Sequence, residues 1–276
     1  MSLKVKITKG FNLLKNSLKN PKSALKGIKK SLQDDKKNYV IKKYGLKKGL
    51  PFIDILDLLP NFKETIFPYS YLSHSSYISD LALLKGLAKK FKNCRYLEIG
   101  TWRGESIANV AKVAKKCVSI SLSDEELKKF GHNKNYIKLQ RFFSKKFKNV
   151  EHISHNSHTY EYSKFKQGFD LIFIDGDHSY EGVKIDTQNM FKLLKDENSI
   201  IVWHDGGSNF ENNRWSVLAA ILDGCPPEKR KHLYRVSNTI CTIYYPKKIK
   251  NSFLDYPNIP NKKFEIKINA KKLKKA

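Results

Sequence analysis

Cysteine is scarce. Cys94, Cys117, Cys225 and Cys241 are the four in 276 residues, and they form no CxxC pair and no metal-ligand spacing. That excludes a disulfide framework and leaves small, buried, reduced thiols as the reading of each. Long apolar runs are missing too. No stretch approaches the ~20 residues that cross a bilayer. Lys4, Lys6 and Lys9 begin like a leader peptide, but Lys15 and Lys19 interrupt any apolar core that would come next. A cytoplasmic protein, soluble or peripheral at the inner membrane surface, is therefore expected. The third shortage is acid. Asp plus Glu number 26 against 53 Lys plus Arg, a formal net charge of +27. Such a charge draws a protein to anionic surfaces, whether membrane, nucleic acid or acidic polysaccharide. Lys far outnumbers Arg, and Asn and Ile are frequent, so codon composition and selected function are both open as sources of the excess.

Four segments are expected. Residues 1–50 form a basic N-terminal extension, where Phe11, Leu14 and Leu18, then Leu25, Ile28 and Leu32, recur at helical spacing with Lys on the other faces. They read either as two short amphipathic helices against an anionic membrane or a partner, or as a solvated, partly disordered arm. Residues 51–93 form a helical cap on the substrate side, with Leu81, Leu84, Leu87, Ala88 and Phe91 on one helix face. Residues 94–246 alternate strand and helix. Strands are read at 95–99, 118–122, 150–153, 169–174 and 200–203, succeeded by a pair at 233–236 and 240–245 turned at Ser237-Asn238. Five β-then-α units and a closing hairpin predict an α/β fold with a mostly parallel sheet and one reversed strand. Residues 247–276 are a Lys-rich tail, expected to be mobile.

The chemistry concentrates at residues 169–181. Phe169 to Ile174 is a buried-strand run that stops in Asp175, Asp177 and His178, with Glu181 close behind. A parallel strand delivers the residues just past its carboxyl end into the crevice where open α/β sheets bind ligands. Two carboxylates and an imidazole in four residues are costly to desolvate unless they hold a metal, a proton or a substrate. The next strand ends in His204-Asp205. Neighbouring strands lie about 4.8 Å apart, so Asp175 and Asp205 would either share a proton, be bridged by a cation, or bind substrate hydroxyls.

The first turn is Glu98-Ile99-Gly100-Thr101-Trp102-Arg103-Gly104. It lacks the G-x-G-x-x-G of a nicotinamide-dinucleotide fold and places its acid before the first glycine. E-x-G-x-x-x-G after a strand resembles the first motif of class I S-adenosylmethionine-dependent methyltransferases. Phe-Ile-Asp-Gly-Asp-His-Ser-Tyr-Glu, then Val183, Asp186 and Ile-Val-Trp-His-Asp, resembles their small-molecule and sugar O-methyltransferase branch, many of whose members depend on a divalent metal. The resemblance spans roughly residues 68–245.

That resemblance implies a Rossmann-like, seven-stranded methyltransferase sheet. It also implies an S-adenosylmethionine site at Glu98, Gly100, Thr101, Trp102, Gly104 and Asp175, and Mg²⁺ or another divalent cation on Asp175, His204 and Asp205. His204 puts Mg²⁺ itself in question, because Mg²⁺ prefers oxygen ligands. The family's ribose-gripping acid is replaced by Ser121, with Asp124 next to it, and its adenine-side Asp-Ser by Asn156-Ser157. Methyl transfer needs an aligned, deprotonated nucleophile. His178 is read as the general base, since the ordinary histidine pKa lies nearest the working pH. Asp177 is the reserve, and a helix cap is the alternative for either. Asp175 completes the catalytic set.

The expected acceptor is a sugar, glycan or other hydroxylated small molecule, as in polysaccharide biosynthesis, bound by residues 50–80 and 206–216. The competing reading is a methyltransferase-like fold that binds an anionic membrane or nucleic acid. Nucleic acid is not favoured, because no N/D-P-P-Y motif and little aromatic-basic interleaving are present. A homo-oligomer is left open.

Overall fold

The structure is a computed structural model that describes residues 21–255 and 257–273. The helix expected around Phe11 to Leu18 lies outside the described residues. The sheet is built from β1 (Phe52–Ile53), β2 (Arg95–Ile99), β3 (Lys116–Ser121), β4 (Val150–Ser154), β5 (Leu171–Ile174), β6 (Ile200–Trp203), β7 (Leu233–Val236) and β8 (Thr242–Tyr244). The helices that matter here are α1 (Pro21–Tyr44), α2 (Ile55–Leu58), α3 (Ile78–Lys89), α4 (Glu105–Val110), α5 (Asp124–Lys129), α6 (Lys134–Lys138), α7 (Tyr180–Phe191) and α8 (Trp215–Gly224).

The strand order is β1-β7-β8-β6-β5-β2-β3-β4, and β8 alone runs antiparallel to its neighbours. The expected class is met, with eight strands instead of seven. The extra one is β1, two residues between Pro51 and Asp54 that pair in parallel with Arg235 and Val236. A strand that short carries no periodicity, so only its distant partner reveals it.

Both faces of the sheet are covered. In β5, Ile172 and Ile174 enter one apolar cluster with Val183, Trp203 and Leu218, while Leu171 and Phe173 enter the other with Leu84, Leu87 and Ile107. All four strand residues are buried, which is why the run reads as continuous apolar sequence without alternation. All four cysteines are free and buried, as expected.

From β4, at one edge, the chain returns to pair β5 with β2 on the side away from β3. β2 and β5 therefore flank the topological switch point, where open sheets leave a crevice outside the strand carboxyl ends.

Among the described residues the basic extension contains one helix, α1, running to Tyr44 where a shorter one was expected. Its last turns dock beside α7 and α8: Val40 is fully buried, and Tyr39 and Tyr44 pack on the same core. Asp223 of α8 is the anchor. It accepts hydrogen bonds from Tyr39 Oη and Lys43 Nζ, both at 2.7 Å, and from the hydroxyls of Tyr44 and Tyr180. These donors hold the Asp223 carboxyl well below its usual range despite its burial. Asp223→Ala strands four donors, so a loss of about 3 kcal/mol is expected. Thermal unfolding would then fall by roughly 6–12 °C. An unchanged midpoint would show that α1 is held by apolar packing alone.

No described helix is long and apolar enough to cross a membrane. The described tail residues between 247 and 273 contain no helix or extended ladder, but Ser252 pairs with Phe52 through the backbone, and Lys262 Nζ reaches Asp54 at 2.6 Å.

Candidate active site

Strand parity places the acids. Tyr96 and Glu98 of β2, Phe173 of β5 and Val202 of β6 share the sheet face toward α3 and α4, because alternate residues point the same way. Asp175 and His204 continue that parity just past β5 and β6, and Asp80 of α3 meets them from above.

Glu98 is fully buried. Its Oε2 accepts from Tyr96 Oη at 2.8 Å and its Oε1 from Thr101 Oγ1 at 2.6 Å. Burial pushes its carboxyl up to about 7, against hydrogen bonds from Thr101, Ser106 and Tyr96 that hold it down. The acid of the first motif therefore braces the glycine turn from beneath.

Stability should depend on pH through this group. A carboxyl whose folded pKa exceeds its unfolded value of 4.5 weakens the fold as pH rises through the interval up to about 7. The cost is about 3 kcal/mol at pH 8. Glu98→Gln is expected to melt above the wild type at pH 8 and level with it at pH 4. Equal melting at both pH values would mean that Glu98 ionises without penalty.

Gly100 sits at φ 84°, and a Cβ there would collide with the Asp175 carbonyl oxygen. Its lack of a side chain thus lets the β2 and β5 ends close together. Gly104 caps α4 at φ 76°, with Ser144 Oγ filling the place of the Cβ it lacks. Trp102 stacks on Tyr136 of α6 at 5.2 Å, and its indole N–H is buried without a partner.

The turn into α4 also holds the segment of residues 70–75. Arg103, itself buried, donates to Ser75 Oγ at 2.6 Å and Ser73 O at 3.1 Å, and Glu105 accepts from Ser70 N at 2.6 Å. Tyr77 and Phe210, 4.8 Å apart, join the two segments read as acceptor-binding.

The acid-imidazole knot closes around two histidines with different environments. His204 Nδ1 lies 3.2 Å from Asp175 Oδ1 and 3.4 Å from Asp205 Oδ1, and its Nε2 lies 3.2 Å from Asp80 Oδ2. Burial lowers its pKa, but the charge and hydrogen bond of Asp175 and those of Asp80 raise it well above the ordinary value. His204 is therefore an imidazolium near neutrality. His178 is different: its side chain is 44 % exposed, and its Nδ1 faces Asp205 Oδ2 at 3.4 Å. Asp205, at φ 57°, also accepts from Arg214 Nη1 at 2.6 Å. A left-handed non-glycine backbone at a site is held there by its surroundings.

The donors expected to hold a metal are brought together but do not fit one. Both His204 nitrogens are directed at carboxylates, and Arg214 neutralises Asp205 through its other oxygen, Oδ2. The imidazolium and guanidinium supply the positive charge that three carboxylates need. Among the described residues no group of three or more His, Cys, Asp or Glu side chains is arranged to hold a metal ion.

Asp177 also departs from the expected site. Its oxygens accept from Ser179 N at 2.9 Å and Ser179 Oγ at 2.6 Å. It shapes the turn into α7, whose N-cap is Ser179. Asn156 Oδ1 accepts from His158 N at 2.9 Å in a local turn, and the Ser157 carbonyl accepts from Tyr162 Oη at 2.9 Å. Asp124 is exposed at the start of α5.

Asp80, Arg141 and His158 were given no role from sequence, and Asp186 was read only as part of the motif. Asp80 reads as an ordinary acid in a first helical turn; it also accepts from Ile240 N at 3.1 Å. Arg141 and the His158–Asp186 pair, 3.7 Å apart, join segments with no local signal.

A family model described as a methyltransferase domain matches residues 97–206, the stretch from β2 to just past Asp205. An uncharacterised protein, R132 of Acanthamoeba polyphaga mimivirus, is 28 % identical over 169 residues, covering 58 % of this chain and 70 % of that one. Among solved structures, cofactor-bound Rv0187 from MTB is 18 % identical with a TM-score of 0.45, over 64 % of this chain and 84 % of that chain. The O-methyltransferase from Bacillus cereus in complex with SAH is 17 % identical with a TM-score of 0.40, over 68 % of this chain and 82 % of that chain. The family match falls on the strands that carry Glu98 and lead into Asp175 and Asp205, so residues 97–206 are similar to a methyltransferase domain.

Proposed function

We propose that the protein transfers the methyl group of S-adenosylmethionine to a hydroxyl of a small molecule, a sugar or glycan before others. The observation that carries this is the His178–Asp205–Arg214 chain beside the imidazolium of His204. A hydroxyl is a poor nucleophile near neutrality, so the site must take its proton as the C–O bond forms. His178 is the accessible imidazole. Asp205 faces its Nδ1 and favours the tautomer with the proton on that nitrogen, which leaves Nε2 free to accept. Arg214 keeps Asp205 in place, and its charge makes Asp205 a weaker competitor for the proton. The methyl passes from sulfonium to oxygen, the S–C electron pair stays on sulfur, and the hydroxyl proton ends on His178.

The remaining residues position. The buried, unpartnered N–H groups of Trp102 and Arg141 suit a polar cofactor lodged between the β2 and β3 ends. Bound there, S-adenosylmethionine supplies an activated methyl. Asp175 and Asp80 fix His204, whose charge favours an oxygen nucleophile over a protonated amine nearby. The test is transfer of radiolabelled methyl to a panel of sugars, sugar nucleotides and amines in EDTA. Label in alkali-stable ethers supports the proposal. Label confined to amines, or transfer that needs added Mg²⁺, would overturn it.

One observation favours an additional anionic-surface role. Docking turns Val40 inward and leaves Lys37, Lys42 and Lys47 exposed. Cosedimentation with phosphatidylserine vesicles that fades at high salt is expected; equal partition to neutral vesicles would remove this role.

A further inference from the structure

In doubly wound sheets the nucleoside ribose lies at the end of the strand after the glycine turn, about 20 residues on, where an acid holds its hydroxyls. Here that place is Ser121, the last residue of β3, and it is 8 % exposed. Beside it stands a cation. Arg141 Nη2 donates to Ser121 Oγ at 3.2 Å and to Ser154 Oγ, the last residue of β4, at 2.8 Å. Its backbone is left-handed, φ 61°, and is tied to the cofactor turn by Arg141 N–H to the Trp102 carbonyl at 2.5 Å and Phe143 N–H to the Arg103 carbonyl at 2.9 Å. A strained arginine fastened by main chain to one side of a crevice and by side chain to the other is over-determined in position.

Its bonding is incomplete. The two serines are neutral acceptors, and Arg141 Nε is buried with no partner. Burial lowers the guanidinium pKa, and the carboxylate that acts to raise it is Asp124, which is exposed and makes no ion pair with it among the described residues. A partly desolvated cation with spare donors and no close counter-charge is costly unless a ligand supplies acceptor oxygens.

We propose that Arg141 is the ribose-binding residue of this methyltransferase, donating from its guanidinium to the ribose 2′ and 3′ oxygens in place of the carboxylate that accepts from them elsewhere. The polarity of the contact is thereby reversed. A carboxylate needs hydroxyl hydrogens and rejects an ether; a guanidinium needs only lone pairs. Ser121 then orients Arg141 and completes the diol's contacts. The inference rests on the cofactor, and is independent of which acceptor is methylated.

The test is calorimetric titration of the full chain with S-adenosylhomocysteine and its 2′,3′-di-O-methyl and 2′,3′-dideoxy analogues. The wild type is expected to bind the parent and hold the dimethyl analogue within about threefold, while losing roughly 10- to 100-fold with the dideoxy compound. Arg141→Ala should weaken the parent by a similar factor at unchanged melting temperature, and Arg141→Lys should recover part of it. Ser121→Asp in the Arg141→Ala background should restore binding of the parent and not of the dimethyl analogue. Loss of the dimethyl analogue by the wild type, or parent binding unmoved by Arg141→Ala, would overturn the assignment. Those wild-type measurements decide it even if the variants do not fold. Absence of any binding by the wild type would overturn the cofactor reading as well.

Discussion

His178→Ala is expected to lower kcat by roughly 10²- to 10⁴-fold, with S-adenosylhomocysteine bound as tightly as by the wild type. The expectation comes from contrast with His204. Among the two imidazoles of the site, His204 is buried and its nitrogens face Asp175, Asp205 and Asp80, so it neither reaches an acceptor nor gives up its proton readily. His178 is 44 % exposed and touches Asp205 through one nitrogen, leaving the other for a substrate hydroxyl. His178→Gln, which keeps a hydrogen-bonding group but no base, should be as inactive. Single-turnover methyl transfer would check this. A variant that retained most of its rate would return the base role to an acid, with Asp175 foremost, because Asp177 is engaged by Ser179.

The second large effect is expected at Asp175. Asp175→Ala should lower turnover by roughly 10²-fold or more while leaving cofactor affinity within about threefold. Its Oδ1 lies 3.2 Å from His204 Nδ1, and its charge does most to raise the His204 pKa. Without it His204 loses that bond, and the ring is free to swing toward Asp205 and disturb the His178 contact. A displacement of that size at the reacting groups is what proximity effects punish. Collapse of cofactor affinity in this variant would instead assign Asp175 to the cofactor.

The fold and the knot were legible in the sequence for the same physical reason. A strand buried on both faces is a continuous apolar run, and Leu171 to Ile174 ends where charge begins; the run from Ile200 to Trp203 does the same before His204-Asp205. Reading those ends together needed only the parallel order of β2, β5 and β6. The features that stayed hidden depend on distance along the chain. Phe52 and Ile53 become a strand because Arg235 and Val236 lie beside them. Asp80 looks like a helix-start acid until Ile240 and His204 are found on it. Arg141 sits after a run of short helical turns, and nothing nearby in sequence points to Ser121 and Ser154. The metal expectation is left without support at the same level. Asp175, His204 and Asp205 do converge, but Asp80 and Arg214, distant from them or in a loop without pattern, complete the charge balance that a cation would otherwise supply.

The proposed function places cofactor binding and methyl transfer in one crevice, at the carboxyl ends of β2 and β5. Calorimetric titration of the 276-residue wild-type chain with S-adenosylhomocysteine, with EDTA and again with Mg²⁺, tests it most directly. One saturable site per chain, with the same affinity in both buffers, is the predicted result. No binding in either buffer would contradict the assignment of the crevice to S-adenosylmethionine.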